Sequence, residues 1–287
     1  MHIEEKDGGI EIGGCDSFDV GQTFDCGQCF RFAPLPGGDW AGIAFGRYLR
    51  VSPRPDGARL IGTGMEDFEG IWRDFFDLDT DYRAIKEKIS TDEIIGDAIE
   101  KAGGIRLLRQ DLWETLISFI VSQNNNIPRM KKIIEAICAG YGRSIDTPAG
   151  PMHAFPSPQE LCRAEVEDLH ELGAGYRDEY IHLAAKAVAE GSLDLEGLCR
   201  MDTAEARKTL LAMKGIGGKV ADCILLFGMH RTEVCPHDVW VKRIFSEKYH
   251  IENITEKKGY AFATPRWGEY AGIAQQYLFH ACRGEAK

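Results

Sequence analysis

The stretch "MKGIGGKVADC", Met213–Cys223, joins two apolar segments through a glycine turn and sets a lone lysine just behind it. Upstream, "DTAEARKTLLAM" has helical spacing and begins with Asp202 and Glu205 in the relation of a capping box. Downstream, "GKVADCILLFGM" resumes as a second helix after only Gly215-Ile216-Gly217. The result is a helix-hairpin-helix candidate over about residues 203–229. Glycines in the turn allow positive φ and close approach, so consecutive amides and the next helix start can face a phosphate. An ordinary αα-hairpin fits the same spacing. On the second helix Lys219 and Cys223 are four apart and share a face, while Val220, Ile224 and Phe227 can point inward. Three uses of the lysine stay open at this point: solvated decoration, a phosphate contact, or a nucleophile.

Nineteen residues beyond Lys219, in "VCPHDVWVKRIF", Asp238 precedes an apolar helical segment. A carboxylate there caps a helix start, whose dipole favours the ionised form. The cap can also serve as a fixed negative charge aimed into a cleft. Upstream, "QDLWETLISFIVSQ" is apolar at 112, 113, 116, 117 and 119–121, which suits a helix buried at a domain centre and ending at "NNN". Pro128 is placed to open the next helix at its first position and Gly140 to close it. "SPQE" carries a further capping box from Ser157 to Glu160.

Residues 1 to about 95 have a different texture. Short runs such as "FRFAPL", "WAGIAF", "YLRVSP" and "ARLIGTG" alternate with "PGGD" and "PRPDG", turn chemistry at hairpin spacing. The expected fold is α+β: an N-terminal antiparallel β-rich domain over residues 1–95, then an all-α domain over 96–287.

Bulk properties narrow the function. With 287 residues the chain can bury a full core. Its net charge of −11 argues against non-specific coating of nucleic acid, which needs a broad basic surface, but leaves room for a confined DNA site. Nine cysteines, an odd number scattered through apolar surroundings, fit a reducing cytoplasmic compartment. Cys26 and Cys29 form one C-x-x-C with no second pair at zinc spacing, so no metal site is expected. The N-terminus is charged, and no run approaches the ~18 apolar residues that span a bilayer, so no membrane association is expected.

"GIGGKVADC…VCPHDV" resembles the helix-hairpin-helix, Gly/Pro-rich loop and aspartate signature of the base-excision DNA glycosylases, in their lysine-bearing lyase subgroup. "DCGQCFRF", "QDLWETLISFIVSQNNNIPRM", "GAGYRDEYI" and "YAGIAQQYLFHA" are similar to 8-oxoguanine DNA glycosylases, in the family's order and over nearly the whole chain. The resemblance implies a TATA-binding-protein-like sheet followed by a helix-hairpin-helix glycosylase domain. It implies excision of 8-oxoguanine from double-stranded DNA, preferably opposite cytosine, then β-elimination 3′ to the abasic site, by a monomer. Lys219 is implied as the Schiff-base nucleophile and Asp238 as the charge that stabilises the cationic transition state. Cys223 and Phe279 are implied on the two faces of the flipped base, with Gln275 on its Watson–Crick edge and the Gly27 carbonyl accepting from the N7 hydrogen that guanine lacks.

Asn124, Arg129, Tyr176 and Arg177 match positions that fill the gap and contact the orphaned partner, and Gly215, Gly217 and Trp240 match DNA contacts. Trp240 stands where eukaryotic members carry histidine, His237 replaces a small apolar residue, and Lys214 replaces the hairpin's usual proline. No cofactor is implied and no four-cysteine iron–sulfur loop follows, although a structural cation beside phosphate at the hairpin stays open. Two alternatives remain: a glycosylase for another lesion, which Lys219 disfavours, and a non-catalytic damage-sensing module.

Overall fold

Alternation of apolar and charged residues builds the N-terminal sheet. In β2 (Gly9–Gly13), Ile10 and Ile12 are buried and Glu11 between them is half-buried. This strand pairs antiparallel with β6 (Gly57–Ile61), so that Ile10 faces Leu60 and Ile12 faces Ala58. On the opposite face Glu11 meets Arg59 at 3.5 Å. The computed structural model describes residues 1–15 and 17–285. With β1 (His2–Lys6), β3 (Phe32–Pro34), β4 (Trp40–Ala44) and β5 (Arg47–Arg54), the strands form a six-stranded sheet ordered β1-β2-β6-β5-β4-β3. The β1–β2 hairpin turns at Asp7 and Gly8, both at positive φ (48° and 72°), as tight two-residue hairpins require.

The last strand of this sheet in the chain ends at Ile61. From Met65 the chain is helical, with a π turn at Phe68–Trp72. The reason lies in Phe68, Trp72 and Phe75, whose i, i+4, i+7 spacing makes one buried stripe. Helices Tyr82–Ile89 and Glu93–Ala102 follow. A small hairpin, β7 (Ser144–Thr147) with β8 (Gly150–His153), also interrupts the helical half.

The chain divides into two compact units. One holds Met1–Gln28, Val51–Arg109 and His230–Lys287. Its core gathers Phe18, Phe24, Phe75 and Phe76 around edge-on and tilted ring contacts. Arg106, 2 % exposed, stitches that core by donating to the carbonyls of Phe76, Ser17, Asp77 and Thr80. Asp77 is held below the usual carboxylate range: burial opposes ionisation, but His230, Arg109 and Thr80 outweigh it. The last helix, Ala271–Glu285, packs against Glu93–Ala102 and against Val239–Glu247.

The second unit holds Cys29–Arg50 and Gln110–Met229. Helix Leu112–Val121 runs through it with Thr115 to Val121 all buried. It packs on helix Gly218–Gly228. A Cβ at Gly228 would lie 2.9 Å from Leu112 Cδ1 and 3.1 Å from Thr115 Cβ, so the two backbones approach closely because that residue is glycine. Phe119 and Phe227 stack across the same contact, 5.3 Å apart at 12°. Asn126 caps helix Ile127–Tyr141, placing Pro128 second and moving the closing glycine from Gly140 to Gly142.

Candidate active site and DNA interface

The hairpin consists of helix Thr203–Leu211, capped by Asp202 on the Glu205 amide at 2.8 Å, and helix Gly218–Gly228. Its two glycines have different jobs. Gly215 has φ +88°, and a Cβ there would fall 2.2 Å from the Tyr180 ring. Gly217 is the N-cap at φ −90°, ψ 175°, an ordinary extended conformation with nothing within 4 Å of a would-be Cβ. A glycine cap supplies no side chain for the first-turn amides, which leaves them for an acceptor from elsewhere. Lys214, beside the turn, is ion-paired with Glu179 at 2.5 Å.

Lys219 is half-buried in the first turn of the second helix. Its Nζ donates to Ser122 Oγ at 3.1 Å and lies 5.3 Å from the centroid of the Phe119 ring. Ser122 Oγ in turn donates to the Phe119 carbonyl at 2.7 Å. Cys223, one turn on, is 3 % exposed. Neither Ser122 nor Phe119 stands out in the sequence. Phe119 reads as one more apolar position of a buried helix, and Ser122 as its polar end.

Asn124 sits at φ +44° and donates through Nδ2 to Tyr176 Oη at 3.2 Å. Tyr176 is half exposed and carries the Arg177 guanidinium 4.4 Å above its ring. Arg177 itself is only 3 % exposed. It donates to the carbonyls of Gln123 (2.7 Å from Nε), Asn124 (3.1 Å) and Ala174 (3.0 Å). In this arrangement Arg177 braces the 123–124 turn, and a contact with an opposite base needs those bonds to be exchanged. Arg129 is exposed, its amide capped by Asn126 Oδ1 at 2.9 Å.

The remaining site candidates belong to the first unit. Asp238 caps helix Val239–Glu247, accepting from the Val241 amide at 2.8 Å. Trp240 lies on that helix under the Arg243 guanidinium, 6.0 Å from its ring. Gly27 has φ +79°, which lets the Asp25–Gln28 segment turn sharply. The last helix is tied to this turn. Gln276 donates to the Cys26 carbonyl at 3.2 Å, and Arg283 to Asp25 Oδ2 at 3.0 Å and to its carbonyl at 2.9 Å. Gln275 and Phe279 lie on that helix four apart, hence on one face. Gln275 is 4 % exposed, and its Oε1 is buried with no hydrogen-bond partner among the described residues. Burial pushes the Cys26 thiol up to about 12, which disfavours the thiolate that a metal would need.

A family profile described as the 8-oxoguanine DNA glycosylase N-terminal domain matches residues 15–116, and one for HhH-GPD superfamily base excision DNA repair proteins matches residues 117–267. The chain belongs to the 8-oxoguanine DNA glycosylase family. It is 33 % identical over 255 residues to a probable N-glycosylase/DNA lyase of Methanothermobacter thermautotrophicus, covering 82 % of this chain and 79 % of the relative. Among solved structures it resembles MBOgg1 in complex with a low affinity DNA ligand, with 40 % identity, coverage of 100 % and 99 %, and a TM-score of 0.96. It also resembles the Clostridium acetobutylicum 8-oxoguanine glycosylase/lyase in complex with DNA containing cytosine opposite 8-oxoguanine. That pair shares 34 % identity, with coverage of 100 % and 99 % and a TM-score of 0.97. Among the described residues, no helix is long and apolar enough to cross a membrane.

Proposed function

We propose that the protein is a DNA N-glycosylase with associated lyase activity, which excises 8-oxoguanine from duplex DNA and then cuts the strand at the abasic site. The carrying observation is Lys219, a half-buried amine in the first turn of a glycine-capped hairpin helix, in a chain of this family. In this proposal the Lys219 amine attacks the sugar C1′. The N-glycosidic bond breaks, the base leaves with the bonding electrons and takes up a proton, and the nitrogen loses one as the sugar opens to a Schiff base. Loss of the C2′ proton then expels the 3′ phosphate by β-elimination. Asp238 supplies negative charge to the cationic transition state.

The damaged base is bound outside the stack. Gly27 offers its carbonyl to the N7 hydrogen, Gln275 offers its unpartnered Oε1 and its amide to the base edge, and Phe279 and Cys223 offer apolar faces. Gly215, Gly217 and Trp240 serve the backbone of the lesion strand, through turn geometry and amide donors. Asn124, Tyr176, Arg129 and Arg177 serve the gap and the opposite base, favouring cytosine through its acceptors. No cofactor takes part in the proposed reaction, a structural cation at the hairpin being left open, and the protein acts on duplex DNA as a monomer in the cytoplasm.

The test uses duplexes with 8-oxoguanine opposite each of the four bases, borohydride trapping, and the Lys219→Gln variant. The expected outcome is a trapped adduct with the wild type, most with cytosine opposite, and a loss of roughly 10³-fold or more in the variant. A wild type that traps nothing overturns the Schiff-base step. Equal processing opposite all four bases overturns the roles given to Arg129 and Arg177.

A further inference from the structure

We propose that Ser122 is the positioning residue for Lys219, holding one amine N–H so that the nitrogen lone pair points away from the protein scaffold and stays available for attack. The proposal rests on Lys219 being the nucleophile. A serine hydroxyl has one proton and two acceptor sites. At Ser122 the proton is spent on the Phe119 carbonyl at 2.7 Å, so Oγ meets the Lys219 nitrogen, 3.1 Å away, as an acceptor. A hydroxyl with an uncommitted proton would instead donate to the neutral amine and occupy the very lone pair that must attack. The Phe119 carbonyl therefore sets the polarity of the contact.

That carbonyl is available for a structural reason. Phe119 sits in the last turn of helix Leu112–Val121, where carbonyls lack their usual partners. The amide four residues on, at Gln123, turns to Ile120 O at 3.4 Å, leaving Phe119 O to the serine. The Phe119 ring walls another side of the amine at 5.3 Å, and is itself fixed by stacking on Phe227 of the lysine's own helix. One residue thus orients Ser122 through its backbone and confines Lys219 through its ring. Asp222, the acid that follows on the hairpin helix, is committed to Arg207 at 2.7 Å.

Ser122→Ala and Ser122→Thr test this in the full-length protein. Three quantities are read: single-turnover borohydride trapping on 8-oxoguanine duplex, duplex affinity with thermal stability, and the rate of Lys219 labelling by acetic anhydride, mapped by peptide mass spectrometry. For Ser122→Ala the expected result is trapping slowed about tenfold with affinity and stability unchanged. The labelling rate departs from the wild-type value, because the amine has lost the acceptor that holds it. Ser122→Thr, which keeps the hydroxyl, restores most of both rates. Trapping and labelling in Ser122→Ala that match the wild type overturn the proposal, as does a threonine variant as slow as the alanine one. A wild type that traps nothing, with a labelling rate that still changes in Ser122→Ala, removes the lyase function and leaves the Ser122–Lys219 coupling standing.

Discussion

Two helix starts carry the residues to which the proposed function gives the chemistry, and they are made in opposite ways. Helix Gly218–Gly228, in the second unit, begins at Gly217 with no side-chain cap, and Lys219 follows in its first turn. Helix Val239–Glu247, in the first unit, begins at Asp238, whose carboxylate accepts from the Val241 amide. The glycine start leaves amide donors turned outward, suited to an anion that arrives with a ligand. The aspartate start satisfies its own helix, and the same bond fixes where its charge lies. One start has no side-chain cap, the other carries its own.

Asp238 offers the largest test of that contrast. Asp238→Asn keeps a good cap but removes the charge, so unfolding in urea stays within a few tenths of a kcal/mol while single-turnover excision falls roughly 10²–10³-fold. Asp238→Ala removes both, adding a loss of about 1 kcal/mol in stability. An asparagine variant with full activity would reduce Asp238 to a cap and nothing more.

The hairpin glycines separate next. Gly215→Ala meets both a positive φ and the Tyr180 ring, and is expected to cost about 1–3 kcal/mol in a denaturation curve. Gly217→Ala has ordinary backbone angles and open space, so its stability cost stays below about 1 kcal/mol. Duplex affinity, read by fluorescence anisotropy, nevertheless falls for Gly217→Ala if a phosphate approaches that cap. Unchanged affinity there would mean that the uncapped start faces only water.

The two arginines divide in the same manner, one already used by the fold and one waiting. Arg177→Ala strips donors from three main-chain carbonyls and is expected to cost about 1–3 kcal/mol, besides blurring the choice of opposite base. Arg129→Ala, at an exposed position, leaves stability within about 0.5 kcal/mol and changes only the ratio of excision rates opposite cytosine and the other bases.

The last comparison concerns a third capped start, where Asp111 accepts from the Glu114 amide at 2.8 Å. Burial pushes the Glu114 carboxyl up to about 8, with Arg31 opposing and Asp111 and Glu135 adding to the rise. A carboxyl raised on folding is held protonated by the fold. Its contribution is therefore full at acid pH and is lost as pH climbs from the ordinary carboxylate range through about 8. Glu114→Gln should flatten the fall in Tm between about pH 5 and pH 8, leaving stability at the acid end unchanged. An unaltered Tm profile would show that Glu114 is already ionised.

Much of this was legible in the chain because short-range rules govern it. The hairpin helices, the caps at Ser157, Asp202 and Asp238, and the buried helix behind "NNN" follow from spacing and capping chemistry. The β1–β2 hairpin at Asp7-Gly8 was not read from the sequence, because its charged first strand hides it. The π turn at Phe68–Trp72 was not legible for another reason: its aromatic residues suit strands as well as helices until burial chooses the spacing.

The sequence by itself determined the kinds of group present and their local settings: a lysine behind a glycine turn, an aspartate at a helix start, a glutamine and a phenylalanine on one helical face. Those features depend on residues within a turn or two of each other. Tertiary structure decided which of these groups are already engaged. It turned Arg177 inward to carbonyls 53 and 54 residues away, set Ser122 against Lys219 across a separation of 97, and anchored the last helix to the Gly27 turn across 250 and more. Partnerships over such distances are settled by how helices pack and where burial leaves a polar atom a partner, and no local pattern in the chain encodes that.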